Sequence, residues 1–224
     1  MVVDLAKCID HSALAAATAR RDIGEACRLA GEWGVASVCV MPYWVPAAAE
    51  LLQGTPVKVG AAVGFPLGSV LIPSKALEAR LVIERGAAEV DFVMNVGAAK
   101  SGDWGTVEKD AREVVESVRG MEEEKGAKII CKMILECCYL TDEEKRRACK
   151  VALALGVDFV KTSTGFGAGG ATVEDVRLLR EVVGDRMGVK AAGGIRTRDD
   201  ALRMVEAGAT RLGTSSTAVI LAGH

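Results

Sequence analysis

Three lysines stand in short apolar runs that the sequence otherwise predicts to be buried strands. Lys161 ends the run that begins at Gly156, and small hydroxyl residues and glycines follow it at once. Lys132 and Lys190 lie in comparable runs on either side of it. A lysine side chain is almost never fully buried unless it is paired with an acid or used in chemistry. These lysines are therefore the first candidates for a functional site.

A buried lysine offers one particular chemistry, the attack of its amine on a carbonyl carbon. Only the free amine reacts, and an ordinary pKa of about 10.4 leaves very little of it near neutral pH. Burial and a neighbouring cation both lower the pKa of a lysine. Lys190 beside Lys161 would supply that cation, and Asp91 would offset part of the charge and transfer protons. The alternative is that each lysine is only paired with an acid, or that its face of the strand lies outside.

A repeated junction indicates which elements position these residues. A charged amphipathic stretch ends at a glycine, then alanine or valine follows, and a short apolar run comes next. The pattern occurs five times, at junctions that begin at Trp33, Arg85, Lys125, Leu155 and Ala207. A glycine just past a helix end is a common cap, and an apolar run covered on both faces is typical of a parallel strand. Alternating helices and strands predict a parallel sheet.

The number of strands separates two parallel folds. Eight runs are predicted to be strands, starting near Lys7, Ser37, Lys58, Val90, Lys128, Asp158, Gly188 and Arg211. Eight βα units of about 28 residues each suit a compact (β/α)8 TIM barrel, and we expect one such domain over residues 1–224. The alternative is a doubly wound open sheet, which usually has fewer strands. No Gly-x-Gly-x-x-Gly loop follows the first predicted strand.

Helix signals agree with this alternation. Apolar residues recur at helical spacing over 107–118. Thr141 and Glu144 have the spacing of a capping box. Thr172 and Thr197 each precede another helical pattern, and both are predicted to cap it.

In a barrel, the chemistry takes place at the C-terminal ends of the strands. The strands would bring six polar residues toward one interior: Asp10, Cys39, Asp91, Lys132, Lys161 and Lys190. Glycine loops follow strands seven and eight, and loops in these places often bind phosphate through backbone N–H groups. The candidate phosphate ligands are Gly193, Gly194, Ser215 and Ser216. The alternative for either loop is a tight turn that binds nothing.

Composition narrows the class of protein. The 224 residues are 50% hydrophobic and 26% charged, which is typical of a globular protein. The formal net charge of −2 gives no reason to expect a nucleic-acid partner. The weakly polar stretch 59–73 is short and broken by glycine and proline, so no membrane span is predicted. Charges near the N-terminus argue against a signal peptide.

The cysteines and histidines bear on metal binding and on cellular location. Seven cysteines and two histidines occur, with no Cys-x-x-Cys spacing, so a zinc site has little support. Reduced thiols that fill core space in a cytoplasmic protein are the expectation. We expect neither a metal nor another cofactor.

The motifs around these residues resemble the deoxyribose-phosphate aldolase family nearly from end to end. The most specific are "DFVKTSTGFG" at 158–167, around Lys161, and "VDFVMNVGAAKSGDW" at 90–104, around Asp91. Shorter matches are "IDHS" at 9–12, "ASVCV" at 36–40, "VGFPLGS" at 63–69, "LTDEE" at 140–144, "VKAAGGIRT" at 189–197 and "RLGTSS" at 211–216.

The resemblance implies a class I aldolase, a lyase that works without a metal. The family cleaves 2-deoxy-D-ribose 5-phosphate reversibly to acetaldehyde and D-glyceraldehyde 3-phosphate. By resemblance, Lys161 forms the Schiff base, Lys190 and Asp91 transfer protons, and Asp10 and Cys39 lie beside them; we place Lys132 there too. The expected partner is a small phosphosugar, with neither nucleic acid nor membrane, and we expect a homo-oligomer.

Three places depart from the family pattern and leave the substrate preference open. Met41 precedes Pro42 where many relatives have asparagine, and an alanine-rich stretch at 13–19 replaces "LKP". Cys137 and Cys138 follow the fifth strand's glutamate, where relatives often have threonine next. Two other functions stay open: an aldolase or transaldolase-like lyase for another phosphosugar, and a barrel that binds a sugar phosphate without cleaving it.

Overall fold

The computed structural model describes residues 4–223, which form a closed barrel of eight parallel strands. Neighbours in the chain pair with each other, and the last strand pairs with the first. The strands are β1 (Ile9–Ala13), β2 (Ser37–Val40), β3 (Lys58–Val63), β4 (Glu89–Val93), β5 (Ile130–Ile134), β6 (Phe159–Lys161), β7 (Gly188–Ala192) and β8 (Arg211–Thr214). The predicted (β/α)8 barrel is confirmed, and each predicted strand start lies within two residues of the observed one.

Ten α-helices accompany the strands in the described part of the chain. They are α1 (Leu5–Cys8), α2 (Arg20–Trp33), α3 (Val45–Leu51), α4 (Ile72–Glu84), α5 (Val96–Lys100), α6 (Trp104–Lys125), α7 (Asp142–Ala154), α8 (Val173–Val183), α9 (Arg198–Glu206) and α10 (Thr217–Ala222). Short 3-10 turns lie at Pro42–Trp44, Cys137–Tyr139 and Gly184–Arg186. Within residues 4–223, no helix has the length and apolar character needed to cross a membrane.

Three helices begin at the caps that the sequence predicts. At the start of α7, Thr141 accepts the N–H of Glu144 at 3.3 Å, and the Glu144 carboxylate accepts the N–H of Thr141 at 2.7 Å. This reciprocal pair is the predicted capping box. Thr172 and Thr197 each accept an N–H three residues ahead, at the starts of α8 and α9. At the other end, Gly126 closes α6 in the left-handed conformation, with φ 61°.

The hydrophobic core lies between the barrel wall and the helices, because alternate strand residues point to opposite faces. Outward residues such as Val90, Phe92 and Met133 are fully buried in this layer. Asp91, between Val90 and Phe92, points inward and contacts side chains from three other strands. The apolar core therefore surrounds the sheet, and charged residues lie along the barrel axis.

Candidate active site

Lys161 lies at the floor of a cavity at the C-terminal end of the barrel. It is the last residue of β6, and its side chain is 3% exposed. The cavity has a volume of about 590 Å³ and is lined by segments that follow β1, β6, β7 and β8. Among residues 4–223, Lys161 is the lysine that lines it. An amine in this position can meet a carbonyl carbon bound in the cavity.

Asp91 holds three lysines together from the middle of β4. Its Oδ2 accepts hydrogen bonds from Lys161 Nζ at 2.8 Å and from Lys190 Nζ at 2.6 Å. Its Oδ1 accepts one from Lys132 Nζ at 2.8 Å. Asp91 therefore contacts both of the other residues that we expect to be catalytic, Lys161 of β6 and Lys190 of β7. All three lysines are also paired with an acid, so pairing alone does not distinguish Lys161.

A second layer of charge lies toward the N-terminal ends of the strands. Asp10 accepts a hydrogen bond from Lys190 Nζ at 2.5 Å and another from Arg211 at 2.6 Å. Glu89 accepts one from Lys132 Nζ at 2.5 Å and one from Arg211 at 3.2 Å. The two layers form one connected group, here called the axial network: Asp10, Glu89, Asp91, Lys132, Lys161, Lys190 and Arg211.

Sequence reasoning missed two members of the axial network, Glu89 and Arg211. The signal was strand alternation, because side chains two residues apart point to the same face. Glu89 stands two residues before Asp91, and Arg211 stands two residues before Gly213, which lines the cavity. The alternation therefore places both charges inside the barrel.

The three buried lysines differ in how readily they lose a proton. Burial lowers the pKa of Lys161 below its ordinary value, against the opposing charge of Asp91 and with help from Lys190. Burial acts in the same direction on Lys132 and Lys190, but nearby carboxylates outweigh it and raise the pKa of both. Lys161 is therefore the lysine of this group that is closest to being a free amine.

The charge balance of the axial network also favours a free amine at Lys161. Burial alone would raise the pKa of Asp10 and of Asp91, but the surrounding lysines hold both below the ordinary value. In the described structure, the network holds three carboxylates against four cations. With every group charged, the interior carries one surplus positive charge, and an uncompensated buried charge is costly. Loss of the Lys161 proton removes the surplus.

Cys39 and Lys132 occupy different surroundings, although we expect both beside the site. Cys39 packs with Leu14 and Ala62 in a small apolar cluster. Burial, and secondarily the charge of Asp91, raise the pKa of its thiol to about 11, so the thiol is neutral near pH 7. Lys132 is fully buried within the axial network, bound to Glu89 and Asp91.

The residues that we expect to bind phosphate line the same cavity as Lys161. They are Gly193, Gly194, Ser215 and Ser216. At Gly193, φ is 85°, and a Cβ would lie 3.4 Å from the Cα of Gly165, so the loops after β6 and β7 meet as bare backbone. Ser216 already donates its N–H to Thr214 Oγ1 at 2.9 Å, so its hydroxyl is the group left to offer a ligand.

Arg196 brings a positive charge to the wall of the cavity. It follows Gly194 and Ile195 in the loop after β7. Sequence reasoning selected the glycines of this loop and passed over the arginine. A guanidinium beside bare backbone N–H groups is a favourable setting for a phosphate.

Glu136 fixes the loop that follows Lys161. Its buried carboxylate accepts the N–H of Thr164 at 3.1 Å and also the Thr164 hydroxyl. The backbone of Glu136 has φ 58°, a left-handed conformation that is costly for a residue with a side chain and that clusters at functional sites. Thr164 lines the cavity, so Glu136 shapes the wall beside Lys161. Sequence reasoning named Glu136 only for the cysteines that follow it.

The fold and the site together define a barrel enzyme equipped for chemistry at a carbonyl group. A family model described as DeoC/LacD family aldolase matches residues 2–221. The chain belongs to this family of aldolases.

Several relatives of the chain are named as deoxyribose-phosphate aldolases. A deoxyribose-phosphate aldolase from Aciduliprofundum boonei is 54% identical over 97% of this chain and 96% of its own length. A deoxyribose-phosphate aldolase from Carboxydothermus hydrogenoformans is 51% identical over 98% of this chain and 94% of its own. A deoxyribose phosphate aldolase from Aeropyrum pernix, described as a unique tetrameric structure, matches with a TM-score of 0.86 and 32% identity, over 97% of this chain and 89% of that one. The resemblance predicted from the motifs is confirmed.

Proposed function

We propose that this chain cleaves 2-deoxy-D-ribose 5-phosphate reversibly to acetaldehyde and D-glyceraldehyde 3-phosphate through a Schiff base on Lys161. The observation that carries the proposal is the position of Lys161. It lines the cavity, and burial lowers its pKa, whereas the pKa of the two other lysines is raised. The names of the relatives support the substrate and the reaction.

The reaction begins when the Lys161 amine attacks the aldehyde carbon, C1, of the open-chain sugar. Loss of water from the resulting carbinolamine leaves an iminium ion. Asp91 then takes the proton of the C3 hydroxyl, the C2–C3 bond breaks, and the electron pair moves to the iminium nitrogen, which leaves a neutral enamine. Glyceraldehyde 3-phosphate leaves, Asp91 returns the proton to C2 of the enamine, and water adds to the iminium ion to release acetaldehyde and the free amine.

Asp91 and Lys190 are the proposed proton-transfer groups. Asp91 Oδ2 lies 2.8 Å from Lys161 Nζ and 2.6 Å from Lys190 Nζ, so one oxygen touches both amines. The Lys190 ammonium can donate a proton when water leaves the carbinolamine, and the same group can receive it back during hydrolysis. Asp91 balances the positive charge while the iminium exists.

The phosphate group is proposed to bind between the loops after β7 and β8. Gly193 and Gly194 offer backbone without side chains, and Ser215 and Ser216 offer hydroxyl donors. Arg196 on the same wall adds a full positive charge. A phosphate held there would place the other end of the sugar toward Lys161, because both lie in one cavity.

Trapping the covalent intermediate tests the proposed function. The protein is incubated with deoxyribose 5-phosphate, reduced with borohydride, and digested, and the modified lysine is located by mass. We expect the adduct on Lys161, and no adduct in Lys161→Arg, because a guanidinium stays protonated and is not a useful nucleophile. Lys145→Met is the matched control, since Lys145 pairs with Asp142 and Asp175 away from the cavity. An adduct on another lysine would overturn the assignment.

We also propose that the chain is a homo-oligomer. Tyr43, Leu71, Leu77 and Leu81 are large apolar side chains exposed on one side of the barrel, on α4 and the segments beside it. Three of them are more than half exposed, at 80%, 75% and 55% for Tyr43, Leu71 and Leu77. Exposed apolar clusters commonly mark association surfaces, and the relative from Aeropyrum pernix is described as tetrameric.

A further inference from the structure

Arg211 lies at the opposite end of the axial network from the cavity. It is the first residue of β8, and its side chain is 12% exposed. The guanidinium contacts Asp10 at 2.6 Å and Glu89 at 3.2 Å, and it lies 5.5 Å from the centre of the Phe159 ring. Its nearest contacts are therefore two acids and an aromatic ring, and it does not line the cavity that Lys161 lines.

Two chains of contact connect Arg211 to Asp91, which holds Lys161. One runs through Asp10 and Lys190, with contacts of 2.6, 2.5 and 2.6 Å. The other runs through Glu89 and Lys132, with contacts of 3.2, 2.5 and 2.8 Å. Every link joins opposite charges in a buried interior, where electrostatic interactions are weakly screened.

The groups that face the two ends of the network come from several elements. Lys161 faces Asp91 of β4, Lys190 of β7 and Cys39 of β2. Arg211 faces Asp10 of β1, Glu89 of β4, Lys132 of β5 and Cys8 at the end of α1. Burial raises the pKa of both thiols, so neither Cys8 nor Cys39 carries charge near pH 7. The balance among the seven charged residues therefore decides the net charge of the interior.

We propose that Arg211 and Glu89 are positioning residues for the reaction, which set the charge balance that lets Lys161 give up its proton. Without Arg211, three carboxylates would face three cations, and a protonated Lys161 would be balanced. Without the charge of Glu89, two carboxylates would face four cations, and the loss of a proton would be favoured further. The proposal depends on the proposed function, in which Lys161 acts as a free amine.

The test compares the reactivity of Lys161 across pH in variants of opposite charge. Lys161 is acylated with acetic anhydride at each pH, and its extent of labelling is read by mass, which needs no substrate. Cleavage of deoxyribose 5-phosphate is measured in parallel. Since only the free amine reacts, a higher Lys161 pKa moves the acid limb of both profiles to higher pH.

We expect Arg211→Met to move this limb upward and Glu89→Gln to move it downward. Coulomb's law for unit charges about 10 Å apart, at an effective dielectric constant of about 20, corresponds to a shift of roughly one pH unit. The double variant should return toward the wild-type profile, and Arg211→Lys should restore it. A role in packing alone would not produce shifts of opposite sign.

Arg119→Met is the matched control. Arg119 is another partly buried arginine, but it pairs with Glu122 and Asp158 outside the barrel interior. It should leave the labelling profile unchanged. Glu89→Gln leaves two carboxylates against four cations, whereas Arg211→Met leaves three against three. If Glu89→Gln does not fold, as judged by circular dichroism, Arg211→Met decides the matter alone, and an unshifted limb overturns the proposal. If the labelling profiles shift as expected but borohydride traps no adduct, the proposed function is rejected. The proposal that Arg211 and Glu89 set the charge balance is then still supported.

Discussion

Lys132, Lys161 and Lys190 are all buried, but the acids around them differ, and so does the direction in which the pKa of each is shifted. Lys132 contacts Glu89 and Asp91 closely, and Lys190 contacts Asp10 and Asp91, so each has two acids within hydrogen-bond distance. Lys161 shares one oxygen of Asp91 with Lys190. A lysine that shares an acid with another cation holds its proton less firmly than a lysine that has two. We expect the greater reactivity of Lys161 to follow from this unequal sharing.

At the residue scale, Lys190→Leu should produce two effects. The rate should fall by roughly 10²–10⁴, which is the usual contribution of a group that transfers protons. The acid limb of the rate profile should also move to higher pH, because the cation that helps to lower the pKa of Lys161 is gone. The remaining network has three carboxylates and three cations, so the variant should fold. A pH series of kcat/KM measures both effects, and a lower rate with an unmoved limb would show that Lys190 does not tune Lys161.

Asp91→Asn is a harsher change than its shape suggests. The amide would keep the size of the side chain but would leave two carboxylates to balance four cations in the axial network. Breaking a buried ion pair by removing one partner typically costs about 3–5 kcal/mol. Activity lost in this variant would therefore combine altered chemistry with weakened folding, and Lys190→Leu is the cleaner probe.

At the scale of elements, local patterns predicted the strands, the helix caps and the convergence of distant polar residues inside the barrel, but not the pairing of Lys190 with Asp10. Helix caps such as Thr141 and the strand starts are encoded by residues a few positions apart, which is why the barrel could be predicted. The contact between Lys190 and Asp10 joins positions 180 residues apart, and only closure of the barrel creates it. The role of Glu136 could not be predicted for the same reason. Its backbone is left-handed, and its carboxylate binds Thr164 on another loop.

The loop after β8 carries a prediction about phosphate. Ser216→Glu would place a carboxylate on the cavity wall, where it would repel a phosphate and occupy its space. We expect a strong loss in kcat/KM for deoxyribose 5-phosphate and a much smaller loss for unphosphorylated deoxyribose. Binding energy from a remote phosphate can also help to orient the reacting carbons, so kcat should fall along with affinity. Ser216→Ala is the matched control for the loss of the hydroxyl. Equal losses for both substrates would place the phosphate elsewhere.

At the scale of the whole molecule, the lowered pKa of Lys161 reduces the free energy of unfolding near neutral pH. The pKa of Lys161 is lower in the folded protein than in the unfolded chain. Between those two values, the unfolded chain binds more protons, so the contribution of Lys161 to stability is unfavourable below the folded pKa and rises with pH toward 10.5.

Lys161→Met removes this contribution. We expect the variant to gain most over the wild type near neutral pH, and the difference in free energy of unfolding to narrow as the pH increases. Urea unfolding of both proteins at several pH values between 7 and 10 measures the difference. A difference that stays constant with pH would mean that Lys161 keeps its proton in the folded protein throughout this range, and that its pKa is not lowered there.

The axial network also divides between the two halves of the barrel. Its carboxylates, Asp10, Glu89 and Asp91, all come from β1 and β4, whereas its cations, Lys132, Lys161, Lys190 and Arg211, come from β5 to β8. A half-barrel made of either group of strands alone would bury charges of a single sign, which is strongly unfavourable. The two halves are therefore electrostatically complementary, because the carboxylates of one half pair with the cations of the other. Lys161, the proposed Schiff-base lysine, is therefore also one of the cations that balance the carboxylates of the other half.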